Sequence, residues 1–413
     1  MDRSQGPCGG PRSLDSMSLG IIEAAIVAFS LFFGLFDVPP NPRAASADAA
    51  LAHMIDGADY IVHVDVGAIV PHVLGEFDRV IAHPVMKESP DIRRIAQEIR
   101  SSAGAGLEAV KAQFGVDLAK DIDWISASIR VSSDGDPGFM GEVRGRLPAD
   151  LARKLANVTG GAVKEVGGIE MVELGGFSAA FLKSGSVVVG TSTLVEASTS
   201  GGRKPTLTSA QTAVFANKPF LAILSSPGEN IRREIRREFD GDVAFLGGVF
   251  AGHELLSIGL HRKGVSWTWV SPDLAGVELA QQASEGLIEL FRAGHLGIRG
   301  LTRLLMVGLR ASDDEFARAV AAHADAILKL ILDNTGDGRF DANIDVRKKD
   351  RAVVVKATGA SFSKVFPFAV LVPMGAASWF LFGRPAFESV EEKPPAEVFQ
   401  PEPTETEPSP RMD

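Results

Sequence analysis

Two long apolar stretches stand near the ends of this chain, and between them shorter apolar runs alternate with polar residues. The second stretch, residues 365–383, has no charged residue between Lys364 and Arg384. At about 1.5 Å per residue it reaches roughly the 30 Å of a bilayer core, so we predict a transmembrane segment. The alternative is a buried core helix or strand pair. Residues 384–413 form an acidic, proline-rich tail that we expect to be disordered, and such a tail offers little protein for a core segment to pack against.

The first apolar stretch, residues 19–36, predicts a signal peptide or a signal anchor. Two arginines, Arg3 and Arg12, precede the segment, whereas only Arg43 follows it closely. This excess of basic residues before the segment favours a cytoplasmic n-region at residues 1–18. The small residues at 45–47 resemble a signal-peptidase site, although the spacer before them is long and Glu23 interrupts the apolar run. Cleavage, retention as an anchor and a soluble hydrophobic helix all stay open, as does a start at Met1 or Met17.

Between these stretches the pattern predicts an α+β fold made of two diverged copies of an antiparallel-sheet-plus-helix unit. Extended runs at 59–65 and 219–225 are each followed by a helical pattern. Later in each half, two strand-like runs lead into a proline and an aspartate, at 148–150 and 272–273, which are typical of a helix start. We therefore predict units at 48–200 and 212–360 with a linker at 201–211. A chance similarity of strand-to-helix junctions is the alternative.

Glycine turns divide the end of the first unit into short strands. The runs 169–174, 177–182 and 186–191 are separated by Gly175, Gly176 and Gly185, which predicts an antiparallel meander. A last hairpin over 342–359 precedes the second apolar stretch. We expect amphipathic helices to cover the sheet on one side.

Charge and cysteine content exclude several classes of protein. The net charge of −10 argues against a nucleic-acid partner, because binding to phosphates requires a basic face. Cys8 is the single cysteine, so no disulfide forms within the chain and a cysteine–histidine zinc site is excluded. No phosphate loop, nucleophile elbow, zinc-protease helix or dinucleotide fingerprint is present, so we predict no cofactor and no catalytic residues.

Histidines beside carboxylates are the remaining candidates for chemistry. His63 and Asp65 lie two residues apart on a predicted strand and so share one face, which suits a metal or an oriented imidazole. The alternative is a half-buried histidine beside a surface carboxylate. The pairs His253–Glu254 and His323–Asp325 give weaker signals of the same kind.

One segment resembles a calcium-binding loop. Asp333, Asp337 and Asp341 stand near a glycine at the sixth position of an EF-hand-like pattern. Ile344 occupies the twelfth position, where a bidentate glutamate belongs, so we predict no metal and interpret the segment as a polar turn. Calcium binding through these three aspartates is the alternative.

Short motifs give a resemblance to a known group of proteins. Residues 114–117 (Phe-Gly-Val-Asp), Asp121-Ile122 opening a hairpin, and residues 187–190 (Val-Val-Val-Gly) resemble uncharacterised bacterial envelope proteins with a domain of unknown function. The resemblance covers roughly residues 55–200. It implies an extracytoplasmic, membrane-associated domain and supplies no catalytic residues.

These patterns predict a protein of the bacterial cell membrane whose main domain is extracytoplasmic. We expect the membrane as a partner, together with an envelope protein or a lipid. Three functional classes stay open: a noncatalytic binding or structural domain, a module for an apolar ligand, and a hydrolase. The hydrolase would require several of His63, Asp65, His253 and Glu254 to converge within hydrogen-bond reach.

Overall fold

The computed structural model describes residues 38, 41–88, 90–131, 138–200, 208–238, 251–262, 264–289, 307, 322 and 343–359. The predicted apolar segments at 19–36 and 365–383, and the predicted tail, lie outside these residues. The strands are β1 (Tyr60–Val64), β2 (Ile122–Arg130), β3 (Gly138–Gly145), β4 (Ala162–Val166), β5 (Ile169–Leu174), β6 (Phe177–Leu182), β7 (Ser186–Thr191), β8 (Leu221–Ser225), β9 (Leu255–His261), β10 (Gly264–Val270), β11 (Asn343–Lys349) and β12 (Ala352–Thr358).

Helices connect and cover these strands. They are α1 (Ala47–Ala50), α2 (Val66–Ala82), α3 (Pro84–Glu88), α4 (Pro90–Phe114), α5 (Leu151–Thr159), α6 (Ser192–Thr199), α7 (Ser209–Ala213), α8 (Glu229–Glu238) and α9, which is helical over the described residues 274–289. A single 3₁₀ turn (Val214–Asn217) continues α7.

The described strands form one antiparallel sheet in the order β11-β12-β10-β9-β8-β1-β2-β3-β7-β6-β5-β4. The prediction of an α+β fold with a large antiparallel sheet is confirmed at this level. Strands of the two predicted units meet where β1 pairs with β8, with Val62 opposite Ile223. The units therefore share one continuous sheet.

The described elements follow a similar order on both sides of this central pair. Helices α2, α3 and α4 follow β1, and α8 follows β8. A hairpin (β2–β3 or β9–β10) and then a further helix (α5 or α9) come next in each half. Later, β7 returns to pair with β3 and β12 returns to pair with β10. A backbone hydrogen bond extends the β1–β8 ladder at each end. The Asp65 N–H donates to the Phe220 carbonyl at 2.8 Å, and the Ser226 N–H donates to the Asp59 carbonyl at 2.7 Å.

Paired glycines set two of the tight hairpins. Gly175 and Gly176 join β5 to β6 with φ angles of 61° and 92°, and Gly167 and Gly168 join β4 to β5 with φ angles of 60° and 78°. Two successive positive φ angles are those of a type I′ turn, which matches the twist of the flanking strands. The predicted meander of β5, β6 and β7 is confirmed. The sequence analysis missed β4, which is mostly exposed at the sheet edge.

One face of the sheet, which we call the His63 face, carries the larger core. Ile61, Trp124, Met140, Val188 and Leu224 project from its strands. Leu51 and Met54 of the loop after α1, Val195 of α6 and Phe215 of the 3₁₀ turn cover them. This packing closes the face with short elements rather than with long helices.

The opposite face, which we call the Val62 face, is covered by longer helices. α2 covers β2, with Val66 and Ile122 buried, and α5 covers β4 and β5, with Ala152 buried against Val172. A β-bulge between Ile122 and Trp124 turns these two side chains to different faces. On β10, the indole N–H of Trp267 donates to Ser284 of α9 at 3.0 Å. The expectation of helices on one side only is wrong, because apolar residues lie on both faces of the central strands.

Two local features differ from the predicted boundaries. Thr208 caps α7 and bonds reciprocally with Gln211, so the last residues of the predicted 201–211 linker are helical. Val38 and Ala45, which precede the predicted start of the first unit at 48, are also buried in the fold. The Thr-x-x-Gln spacing was the signal for the first of these features.

The aspartates at the two predicted helix starts behave differently. Asp273 accepts a hydrogen bond from the Gly276 N–H at 2.7 Å, as expected at the start of α9. Asp150 makes no side-chain cap bond at α5 and pairs with Lys154 at 3.0 Å. Both predicted helix starts are therefore confirmed, and of the two aspartates only Asp273 caps its helix through the side chain.

Asp59 generates a prediction about stability, because its buried carboxylate joins three separate segments. One oxygen accepts from the Gly228 N–H at 2.7 Å and the other from the Val131 N–H at 2.8 Å. Asp59→Ala leaves both donors unpaired, so we expect the free energy of unfolding to fall by about 2–4 kcal/mol. Denaturant unfolding of the full chain measures the change. The exposed Asp48→Ala is the control and should shift it by less than about 1 kcal/mol; equal effects would contradict the role of Asp59.

Candidate functional site

The four side chains proposed for chemistry, His63, Asp65, His253 and Glu254, all lie among the described residues. His63 and Asp65 are buried at one end of β1, and His253 is buried just before β9. Their partners decide whether they form one site.

His63 projects into the core of the His63 face. Its Nδ1 lies 2.8 Å from the Ser126 hydroxyl, and its ring packs against Trp124 and Phe215 with centroid distances of 5.7 and 5.3 Å. Burial lowers the pKa of the imidazole to about 4, so it is neutral at pH 7. The expectation of a half-buried histidine is wrong, since the side chain is only 1% exposed.

Asp65 acts as a structural cap. Its Oδ1 accepts from the Asn41 amide at 2.7 Å and from the Ala68 N–H in the first turn of α2 at 3.0 Å. Burial raises the pKa of the carboxyl, while these two hydrogen bonds favour the charged form. The expected surface carboxylate is instead buried, and its bonds fix the start of α2 and the segment around Asn41.

His253 has a separate environment on the Val62 face. Its Nε2 lies 3.0 Å from the Ser225 hydroxyl, and its ring meets Trp269 edge to face at 5.8 Å. Burial first, and the nearby Arg232 charge second, lower its pKa to about 4. Its Nδ1 is buried without a hydrogen-bond partner among the described residues.

The four candidates do not converge. Glu254 pairs with Arg351 at 3.5 Å, away from the Ser225 hydroxyl that His253 contacts. Ser225 and Ala222 of β8 project to opposite faces, and Ala222 lies directly beside His63. The sheet therefore separates the two histidines, and in the described structure no hydrogen bond or ion pair joins any two of the four groups.

A different polar row, not predicted from the sequence, crosses the sheet. His63 of β1 lies opposite Ser126 of β2, which lies opposite Glu142 of β3. One Glu142 oxygen is buried without a described partner. A polar residue within the apolar alternation of β2 and of β3 was the available signal.

This row has the composition of a hydrolytic triad but not its order. The serine lies between the histidine and the carboxylate, whereas catalysis requires the histidine in the middle. Ser126 is fully buried and Glu142 nearly so, which leaves no described access for a substrate. The row therefore has neither the order nor the access that a catalytic nucleophile requires.

Neither a clustered metal site nor a membrane-spanning helix is found among the described residues. No three His, Cys, Asp or Glu side chains within these ranges come together as a metal site. Asp333, Asp337 and Asp341, with His323 and Asp325, lie outside the residues that the structure describes. No helix in the described part is both long enough and apolar enough to cross a membrane.

The two buried histidines generate a prediction about pH. An unfolded imidazole has a pKa near 6.5, and burial lowers the pKa of His63 and His253 to about 4. The unfolded chain therefore takes up protons first, so stability is full above pH 6.5 and falls as the pH drops through 4. Each histidine accounts for up to about 3 kcal/mol of this loss. We expect His63→Gln to flatten the pH dependence between pH 6.5 and 4 by about that amount, measured by denaturant unfolding at a series of pH values.

Ser126→Ala is the matched control for this prediction. It removes the hydrogen bond but leaves the imidazole buried, so it should lower stability by about 1 kcal/mol and keep the pH dependence. An unchanged pH dependence in His63→Gln would contradict the assignment.

Comparison with known proteins adds little. No protein-family model matches the chain, and no curated protein matches it. Among solved structures, crystal forms I and III of TP0453 match with TM-scores of 0.32 and 0.33 at 10% identity, covering 77% and 76% of this chain and 96% of theirs. Crystal form IV matches with a TM-score of 0.31 at 13% identity over 53% of this chain and 79% of that one. Similarity at this level assigns neither a family nor an activity.

Proposed function

We propose that this protein is a membrane-anchored protein of the bacterial cell envelope whose extracytoplasmic domain has a noncatalytic binding or structural role. The observation that carries the proposal is the separation of its candidate catalytic groups. His63 and His253 are buried on opposite faces of the sheet, and Asp65 and Glu254 bond elsewhere. Polar groups that could perform chemistry instead hold the core together.

The apolar segments at 19–36 and 365–383 support the anchoring. Their partner is the lipid bilayer, and nucleic acid is not a partner of a chain with this net charge. The repeated order of elements around β1 and β8 supports a further part of the proposal, that the two halves are diverged copies of one sheet-plus-helix unit.

A second candidate function, binding of an apolar ligand such as a lipid, is favoured by one surface feature. Val62 and Ile129 lie on neighbouring strands of the Val62 face and are 37% and 40% exposed. Exposed apolar side chains on central strands are suited to an apolar ligand. A lipid that stays with the purified protein would favour this candidate.

The buried residues before α1 support an uncleaved signal anchor. Val38 and Ala45 are packed in the fold, and Asn41 donates to the buried Asp65. Cleavage after Ala47 would remove all three and the Ser46 cap of α1. It would therefore leave Asp65 without its side-chain donor.

We expect the mature protein to retain residues 38–47. Loss of this segment would expose core positions and remove a hydrogen bond to a buried carboxylate, which costs about 1–3 kcal/mol. N-terminal sequencing of the protein extracted from membranes measures the outcome. A mature chain that begins at Asp48 would contradict it.

Topology tests the proposed location. A reporter enzyme that folds only outside the cytoplasm should be active when fused after Ser200, because the domain follows a cytoplasmic n-region and one span. The same reporter after Pro410 is the matched control and should be silent, since the second span returns the chain to the cytoplasm. Both fusions should stay in the membrane fraction through alkaline carbonate. An inactive reporter at Ser200 would reverse the orientation, and release by carbonate would refute the anchoring.

A further inference from the structure

After the first predicted anchor, the described chain enters the domain at one particular end of the sheet. Asn41 donates to Asp65, which directly follows β1, and Arg43 pairs at 3.1 Å with Asp123 near the start of β2. Residues 41–43 therefore lie where β1 ends and β2 begins.

The described chain leaves towards its second predicted anchor from the same end. β12 finishes at Thr358, which lies opposite Gly264, and Gly264 lies opposite His261. Leu260, next to His261 on β9, lies opposite Leu221 of β8, and Leu221 lies opposite Val64 at the end of β1. Thr358 and Val64 are therefore at the same end of the sheet. We call the end of the sheet that contains Val64 and Thr358 the anchor end.

Short connections tie this end to both predicted spans. Residue 36 ends the first apolar segment two residues before Val38, and residue 365 begins the second six residues after Gly359. At no more than about 3.6 Å per residue, each span starts within roughly 20 Å of the described chain. The opposite end of the sheet lies about another 20 Å away, since its strands rise about 3.3 Å per residue. Two such short connections favour an orientation of the domain in which the anchor end is the end nearer the bilayer.

Charge at the anchor end is arranged with cations outermost. In the pairs Arg43–Asp123, Lys120–Asp117 and Arg146–Asp121, the basic side chains are 49–74% exposed and the carboxylates only 17–27%. Two more exposed lysines, Lys183 between β6 and β7 and Lys218 before β8, lie at the same end. From β8 to the β6–β7 turn, this end therefore presents basic groups to its surroundings although the whole chain is acidic. The exposed Glu165 and Glu170 lie beyond it, beside the β4–β5 turn at the sheet edge.

We propose that the anchor end faces the bilayer and that its basic rim (Arg43, Lys120, Arg146, Lys183 and Lys218) contacts anionic phospholipid headgroups. The inference rests on the proposed membrane anchoring and adds to it the surface that meets the lipid. A basic residue close to an anionic membrane raises the membrane-binding constant by about fivefold. The predicted spans would keep the domain near the bilayer, and the rim would in addition hold the anchor end in contact with the bilayer surface.

Site-directed fluorescence tests the orientation in the full-length protein. Cys8→Ser removes the single cysteine, and Ser184→Cys or Ala162→Cys then places one label at the anchor end or at the opposite end of the same half. Both positions are exposed. The proteins are reconstituted into vesicles of phosphatidylcholine and phosphatidylglycerol that contain a headgroup-nitroxide lipid. Because nitroxide quenching acts only at short range and the two ends lie about 20 Å apart, we expect at least about threefold more quenching at position 184.

Charge reversal tests the basic rim. The triple variant Lys120→Glu, Lys183→Glu and Lys218→Glu should reduce quenching at position 184 by roughly twofold or more in these vesicles. The matched control makes the same charge change at the opposite end, through Arg130→Glu, Lys348→Glu and Lys349→Glu. It should leave the quenching at position 184 unchanged. In vesicles of phosphatidylcholine alone, the rim variant should have no effect. Unfolding midpoints of all variants identify any loss of folding.

The outcomes separate this inference from the proposed anchoring. A protein that fails to float with vesicles refutes the anchoring itself. A protein that floats but shows equal quenching at 184 and 162, or more at 162, overturns the orientation alone. Equal effects of the two charge reversals, or an equal effect of the rim variant in neutral vesicles, overturn the headgroup contact.

Discussion

The pairing of β1 with β8 is the constraint on which the rest of the structure depends. These strands are about 160 residues apart in the chain, and each would be an exposed sheet edge without the other. Their ladder is extended by the Asp65–Phe220 and Ser226–Asp59 hydrogen bonds. One sheet thus spans both halves, and its middle is assembled from contacts distant in sequence, which are costly to form early in folding.

Polar side chains in the core serve this assembly. Asp59 ties the start of β1 to the end of β2 and to the segment before α8, while Ser128 accepts from the Ile55 N–H and donates to the Met140 carbonyl. A buried polar group is stable only when it is hydrogen-bonded, so these bonds specify which segments meet. Within the described residues, the unpartnered Glu142 oxygen and the unpartnered Nδ1 of His253 are exceptions to this rule.

The sheet also determines where the chain can be attached. Antiparallel strands alternate in direction, so whether two chain segments leave at one end or at opposite ends depends on the count and order of the strands between them. Here the approach at Asn41 and the exit at Thr358 fall at one end. Under the proposed membrane anchoring, that coincidence gives the domain a defined side towards the bilayer, which neither apolar segment could specify alone.

The sequence by itself determined the local elements. Alternation of apolar and polar residues located most of the strands, and the glycines at 175, 176 and 185 located the meander turns, because these signals are local. Only the tertiary structure decided the β1–β8 pairing, the helices on both faces and the opposite placement of His63 and His253. Those features depend on which distant strands pair and on the bulge at Ile122, whose effect on side-chain direction cannot be deduced from spacing. The surroundings of His63 and Asp65 could not be deduced from the sequence for the same reason, since Ser126 and Asn41, which bond them, are distant in sequence.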